Sequence, residues 1–344
     1  MANTRDVSGS PPLPSVSVLI PTLNSQRTLA DCLRAIRSQD YPPDLVEIII
    51  ADGGSSDQTL QIAESFRATV VPNELVTGES GKAAALRHAS GDLVALIDSD
   101  NILMSPNFFR AMVAPFEDKD VVGSEPVRFV ATPGDTLVDR YCALAGVNDP
   151  LTLFIGNYDR FSFFTGRWTG MEFPQEHHAG YTVFPIAGRA LPTIGANGTM
   201  YRREAILPHV DSYLMDIDIP YLLAAAHPSA RFAKVDIGIR HLYCRDISAF
   251  RRKQTRRVRD YFDSERRHER IYPWASIGRL GIAKFVLSTL TVVPLLMQTA
   301  RAWTATRDKA VFFHPVACAI TLWVYGWNVL FARGLPMDRK GWQQ

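Results

Sequence analysis

Cysteine, net charge and nucleotide-loop glycines are what this 344-residue chain has least of. Its cysteines, Cys32, Cys142, Cys244 and Cys318, stand far apart. They show neither pairing nor metal-ligand spacing, which excludes a disulfide framework or thiolate metal centre and fits a reducing compartment. The 37 Lys and Arg nearly cancel the 35 Asp and Glu, leaving +2, so no nucleic-acid partner is expected. No G-x-G-x-x-G follows the first apolar run, which argues against dinucleotide binding. A P-loop around Lys82 would need a glycine where Val76 stands and a hydroxyl where Ala83 stands. His177 and His178 are adjacent and lack zinc-ligand spacing. The amino terminus is polar and rich in Pro and Ser, so residues 1–14 read as a disordered lead and not a signal peptide. There is no internal repeat.

Alternation is what the chain does have. Continuous apolar runs at 16–20, 46–50, 68–71 and 93–97 are of strand length. Between them, 28–38, 57–66 and 81–89 carry helical spacing, with Ser56 or Asp57 as an N-cap for the second. Buried strands alternating with helices predict an α/β fold: a mostly parallel sheet with helices on both faces.

The run 93–97 stops at Asp98 and Asp100. A buried strand ending in paired acids places hard oxygens at the carboxyl edge of the sheet, where open α/β folds bind ligands. Two carboxylates in a D-x-D turn suit Mg2+ or Mn2+ with phosphate. The competing reading is a turn that starts the helix near 106–115.

The segments PTLNSQRTLADCLRAIRSQDYP, IIIADGGSSDQT and GKAAALRHASGDLVALIDSD follow one another between residues 16 and about 106. In order and spacing they resemble the amino-terminal half of family 2 glycosyltransferases of the GT-A fold. The likeness fades over 121–183 and returns at GANGTMYRREAI and DIDIPYLL. Ser25 departs from the acid common after the Asn of the first motif. The resemblance implies roles. Pro21, Thr22 and Asn24 would line the nucleotide pocket. Asp52 would accept from the base, typically uracil, since a carboxylate is acceptor-only; its alternative role is a turn residue. Lys82 would approach the donor, unless it is only a solvated helix-start lysine. Asp98 would contact the ribose or sugar, and Asp100 the metal on the diphosphate. Asp216 takes the register of the catalytic base, with Asp218 as the alternative and Met215 where the family carries Glu; otherwise both acids only serve a helix start. His241 matches a metal-ligating His of some members, with a structural histidine as the alternative. Asn197 and Gly198 resemble the acceptor-side turn.

The carboxyl-terminal part changes the setting. Residues 280–300 and 311–332 are apolar and about the length that spans a bilayer, and 250–270 is dense in arginine. Gln254, Arg256 and Arg257 partly echo a Gln-x-x-Arg-Trp motif of some family members, so Arg256 and Arg257 are expected on the acceptor or lipid side. The expected organisation is a lead (1–14), a GT-A domain (15–249), a basic amphipathic juxtamembrane helix (250–279), and a membrane hairpin and tail (280–344). The catalytic domain is expected at the cytoplasmic face of the membrane, because cations precede the first apolar segment and Arg333, Arg339 and Lys340 follow the second. Arg301, Arg307 and Lys309 in the connection oppose that bias, which leaves in-plane helices open. The expected activity is metal-dependent, inverting transfer from a nucleotide-diphosphate sugar, UDP-linked by the resemblance, to a lipid-linked saccharide or polysaccharide. A polyprenyl phosphate is the alternative acceptor, and a silent membrane-bound sensor or scaffold the alternative of another class.

Overall fold

The computed structural model describes residues 12–267, 270–273 and 278–332. Most of the expected lead and the cations Arg333, Arg339 and Lys340 fall outside them.

The first four strands are β1 (Val16–Thr22), β2 (Val46–Asp52), β3 (Thr69–Pro72) and β4 (Leu93–Leu96). They pair in parallel in the order β3-β2-β1-β4. Successive side chains point to opposite faces, and both faces are covered. Val18, Ile20, Ile48 and Ile50 join a core with α1 (Leu29–Arg37). Leu19, Ile49 and Ala51 join a second core with α2's successor on the other face, α3 (Gly78–Leu86), where α2 is Thr59–Ser65. Such double burial explains why these strands read as unbroken apolar runs.

Beyond β4 the sheet is mixed. Its strands are β5 (Asn101–Leu103), β6 (Val121–Val130), β7 (Glu176–His178), β8 (Tyr181–Pro185), β9 (Thr199–Arg202) and β10 (Arg231–His241). The ten-stranded order is β3-β2-β1-β4-β9-β6-β10-β8-β7, with β5 on β10. Antiparallel β9 lies between β4 and β6 and joins the two halves. The D-x-D turn therefore faces the start of β9 and the end of β10.

The remaining helices are α4 (Phe108–Val113), α5 (Leu137–Ala145), α6 (Leu151–Ile155), α7 (Arg203–Ile206), α8 (Ile219–Ala226), α9 (Ile247–Arg267), α10 (Arg279–Thr291), α11 (Val293–Thr306) and α12 (His314–Trp327). Along α9, Phe250, Gln254, Val258 and Phe262 recur every fourth residue and are buried, while Arg251, Arg252 and Arg256 are exposed.

The first of the two expected apolar segments is not one straight helix. The segment 280–300 is broken at Val292 into α10 and α11, which meet at 89°. Pro294 stands at the start of α11, where its ring and missing N–H do not allow the preceding turn to continue. Lys309–Phe331, 23 residues, is long and apolar enough to cross a membrane. The connection between the two segments is not held away from the sheet-bearing part of the chain. Asp308 pairs with Arg140 of α5 at 2.7 Å, and His314 Nδ1 meets the Tyr141 hydroxyl at 2.9 Å. Nor do the packing cores divide at residue 250: Val138, Tyr141, Phe250, Val311, Phe313 and Ala317 share one cluster.

Candidate active site

The site lies at the carboxyl ends of β1, β2 and β4. Asp52 closes β2 directly beside Thr22 of β1. Its Oδ1 accepts from the Thr22 hydroxyl at 2.9 Å and the Ser55 hydroxyl at 2.6 Å. Its Oδ2 accepts from Gly54 N at 2.9 Å and Ser55 N at 2.8 Å. Those four bonds fill the capacity of a carboxylate. Asp52 thus builds the turn here, and pairing with a base requires the rotatable Ser55 hydroxyl to give way. Asn24 braces the same turn: its N–H donates to Ser55 Oγ at 2.8 Å and its Oδ1 accepts from Ser56 N at 2.9 Å. A cleft of ≈ 490 Å³ opens beside Asp52, lined by Leu60, Val71, Pro72, Asn73 and Val76 among others. Apolar walls with a few fixed polar groups suit a flat heterocycle.

Helix α3 starts three residues before the expected place. Thr77 and Ser80 form a reciprocal cap, each side chain bonding the other's backbone N–H. Gly81 then lets α3 lie on β1, since a Cβ there would sit 2.8 Å from Pro21 Cβ. That approach brings buried Lys82 to Asp98, with Nζ 2.8 Å from Oδ1. The ammonium is therefore neither a solvated lysine nor free. Burial pulls its pKa down, but Asp98 and Asp216 outweigh it and raise the pKa, keeping Lys82 charged.

Asp100 faces His241 at the end of β10, with Oδ2 3.6 Å from Nε2. Burial pushes the Asp100 carboxyl up, yet His241 and Lys253 prevail and hold it down at about 2. Among the described residues no cluster of three His, Cys, Asp or Glu side chains is present, and Asp100 with His241 would be the candidate donors to a divalent ion. That donor set fits Mg2+ or Mn2+, which takes few protein ligands and completes its shell with water and substrate phosphate. His241 Nδ1 is buried with no hydrogen-bond partner; metal coordination at Nε2 leaves that orphan in place.

Asn101 ties this turn to the acceptor side. Its Oδ1 accepts from Asp98 N at 3.1 Å, and its Nδ2 donates to Asn197 Oδ1 at 3.0 Å. Gly198 has φ +80°, and a Cβ there would meet Ile239 Cδ1 at 2.8 Å, so glycine is needed on both counts. Behind it, fully buried Arg160 reaches Asn197 O at 2.9 Å and Glu125 at 2.6 Å.

The two candidate bases separate. Asp216 lies in the loop before α8, half-buried and electrostatically coupled to Lys82. Burial raises its pKa above the ordinary 3.8, with Lys82 opposing. Asp218 is buried, and its carboxylate accepts from Ile271 N at 3.2 Å and Tyr272 N at 3.0 Å. Its lone pairs are engaged in joining α8 to the segment before α10. Arg257, expected toward the acceptor, is tied down by Asn148 O at 3.0 Å and Gln254 Oε1 at 3.1 Å. Arg256 is exposed on α9.

Sequence reasoning missed Asn101 and Lys253. Lys253 Nζ lies 4.1 Å from the Tyr243 ring centroid and bonds Tyr243 O at 2.5 Å. Asn101 had a signal, since it directly follows the D-x-D. Lys253 had none among the basic residues around it.

Residues 17–206 match the model of glycosyl transferase family 2. The chain belongs to that family. Its fold is GT-A. The poly(ribitol-phosphate) beta-N-acetylglucosaminyltransferase TarS of Staphylococcus aureus (strain Mu50) is 34% identical over 93 residues, 25% of this chain and 16% of that protein. An N-acetylglucosaminyltransferase of Mesorhizobium japonicum is 35% identical over 131 residues, 35% of this chain and 30% of that protein. The chain thus spans less than a third of either relative. Among solved structures, the mannosyltransferase PcManGT from Pyrobaculum calidifontis, in complex with GDP-Man and Mn2+, shares 16% identity at a TM-score of 0.53, covering 93% of this chain and 88% of that one. At that identity the likeness concerns the fold. The family 2 match runs through β1 to α7 and ends before Asp216.

Proposed function

We propose that this family 2 member transfers a sugar from a nucleotide-diphosphate donor, UDP-linked, to a hydroxyl of a lipid-linked saccharide or polysaccharide at the cytoplasmic face of a membrane. The observation that carries the reading is the buried Lys82–Asp98 pair at 2.8 Å, on whose ammonium Asp216 also acts, together with the Asp100 and His241 pair at 3.6 Å. The base occupies the cleft beside Asp52. Asp98 and Lys82 orient the ribose and sugar. A Mg2+ or Mn2+ ion on Asp100 and His241 would neutralise the charge that builds on the departing diphosphate. Asp216 accepts the proton of the acceptor hydroxyl. The bond from that oxygen to the anomeric carbon forms as the bond to the diphosphate oxygen breaks, with inversion.

A polyprenyl phosphate is the second acceptor reading, supported by the apolar outer face of α10 to α12. It is less favoured because an ionised phosphate has no proton to give, and Asp216 would then be idle. Membrane association is supported by that same face and by the arginines of α9. The test is donor turnover and thermal shift across a panel of nucleotide sugars, with and without Mn2+. A UDP-sugar that both stabilises the protein and is consumed is the expected result. Stabilisation without turnover, with every acceptor tried, would mark a sensor instead.

A further inference from the structure

We propose that α10, α11 and α12 lie in the interface of a single anionic leaflet and do not cross the bilayer. This rests on the membrane reading above and is independent of the transfer chemistry.

Length is the first argument. Helices α10 and α11 have 13 and 14 residues, or about 20 Å each. A hydrocarbon core is about 30 Å thick, and the 89° bend prevents the pair from adding up to a span. Attachment is the second. Among the described residues, the one stretch long enough is fastened at intervals to the rest of the chain, from Asp308 just before it to Asn328 near its end. Asp308 binds Arg140, His314 binds Tyr141, Tyr325 binds Asp149 at 2.6 Å, and Asn328 binds Arg259 at 3.2 Å. About 30 Å of helix separates the first contact from the last. A spanning helix leaves its domain after a turn or two; this one lies against it throughout.

The opposite side of these helices is apolar and uncovered. Leu290, Met297, Phe312, Trp323, Trp327 and Leu330 are between 52% and 74% exposed. Trp323 and Trp327 stack with centroids 6.0 Å apart, and tryptophan favours the headgroup level. Charge selects lipid over a second copy of the chain. Residues 279–331 hold five cations and one acid, Asp308, which Arg140 already neutralises. A second copy would set those cations against themselves, whereas anionic headgroups complement them. The placement also removes the conflict over Arg301, Arg307 and Lys309, since with no loop across the membrane every cation sits on one side.

The test uses the full chain, whose native cysteines are all buried. Ala305→Cys and Ser65→Cys, both at exposed positions, are treated with an impermeant maleimide in sealed right-side-out and inside-out membrane vesicles. Labelling of both positions in the same vesicle orientation is expected; labelling in opposite orientations means a spanning hairpin and overturns the proposal. In parallel, the purified chain is floated with phosphatidylcholine vesicles with or without phosphatidylglycerol. Binding should require phosphatidylglycerol and fall about tenfold or more in Trp323→Ser/Trp327→Ser. No vesicle binding, with dimers that the same double substitution abolishes, would show that a second copy covers the face. Donor turnover read on the same samples reports separately on the transferase reading: turnover without lipid binding sinks only this inference, and lipid binding without turnover sinks only the chemistry.

Discussion

Two aspartates in one loop illustrate what a residue's neighbours decide. Asp216 and Asp218 are indistinguishable by type and both precede a helix. Asp218 has both oxygens occupied, by backbone N–H groups 53 and 54 positions on, whereas Asp216 accepts through Oδ1 alone, from its neighbour Ile217 N at 2.9 Å. Asp216→Asn should therefore cut transfer by roughly 10²–10⁴-fold while leaving UDP affinity, read by calorimetry, unchanged. A wild-type rate would remove Asp216 from the chemistry. The base works deprotonated, and burial raises its pKa above 3.8. The acid limb of kcat/KM should accordingly lie above that value, and Asp216→Asn should abolish it. Asp218→Asn should instead lower stability, because one of the two backbone N–H groups then faces an amide donor. A buried lost acceptor costs about 1–3 kcal/mol, visible as a lower Tm with residual activity in proportion to folded protein. Asp100→Ala should abolish the Mn2+-dependent fraction of turnover and leave the Tm of the apo chain near its original value; full turnover of that variant in chelator would reject the metal reading. The D-x-D pair was legible because an apolar run ended on it. The filled carboxylate of Asp52 was not, since its partners come from the turn's final shape.

At the scale of elements, the parallel strands were legible because burial on both faces demands continuous apolar runs. The mixed half was obscure because its strands are short or interrupted by charge. Lys234 lies mid-way along β10 and reads as an exposed residue, yet it is buried against Glu125 of β6. The Val292 break did have a signal, Pro294, inside an apolar run that otherwise reads as one helix. The Glu125 and Lys234 pair joins β6 to β10, with Arg160 completing the charge balance. Burial pushes Glu125 up to about 7, against the pull of Arg160 and Lys234. Lys234→Met removes one compensating cation and should destabilise by about 3–5 kcal/mol in urea denaturation. The sign of its pH dependence follows from a carboxyl raised above its unfolded value of 4.5. The native state then holds a proton that the unfolded chain releases, so stability falls as pH rises across that window. With Lys234 gone the window widens, and the loss should be greater at about pH 8 than at about pH 5. An equal loss at both would mean that Glu125 stays ionised.

The whole molecule does not divide where composition changes. Arginines begin at 251 and apolar residues at 280, which marks a boundary to the eye. Packing ignores it: α5 of the catalytic half buries Val138, Tyr141 and Cys142 against Phe250, Val311 and Phe313, and Arg140 is held by Asp308. Ending the chain after residue 249 would uncover that face and strip Asp218 of both its N–H donors. Each large side chain returned to water costs about 1.5–3 kcal/mol, and several are lost together, against a total stability of about 5–15 kcal/mol. The 1–249 fragment should therefore be insoluble or melt without a cooperative transition, and should not be rescued by UDP and Mn2+, because those ligands replace none of the buried contacts that are lost. Calorimetry of the fragment beside the full chain decides it. A cooperative melt that UDP raises would mean that the nucleotide domain is self-sufficient and that the carboxyl-terminal helices are an appendage. The expected failure would mean that the carboxyl-terminal helices and the loop carrying Asp216 belong to one folding unit.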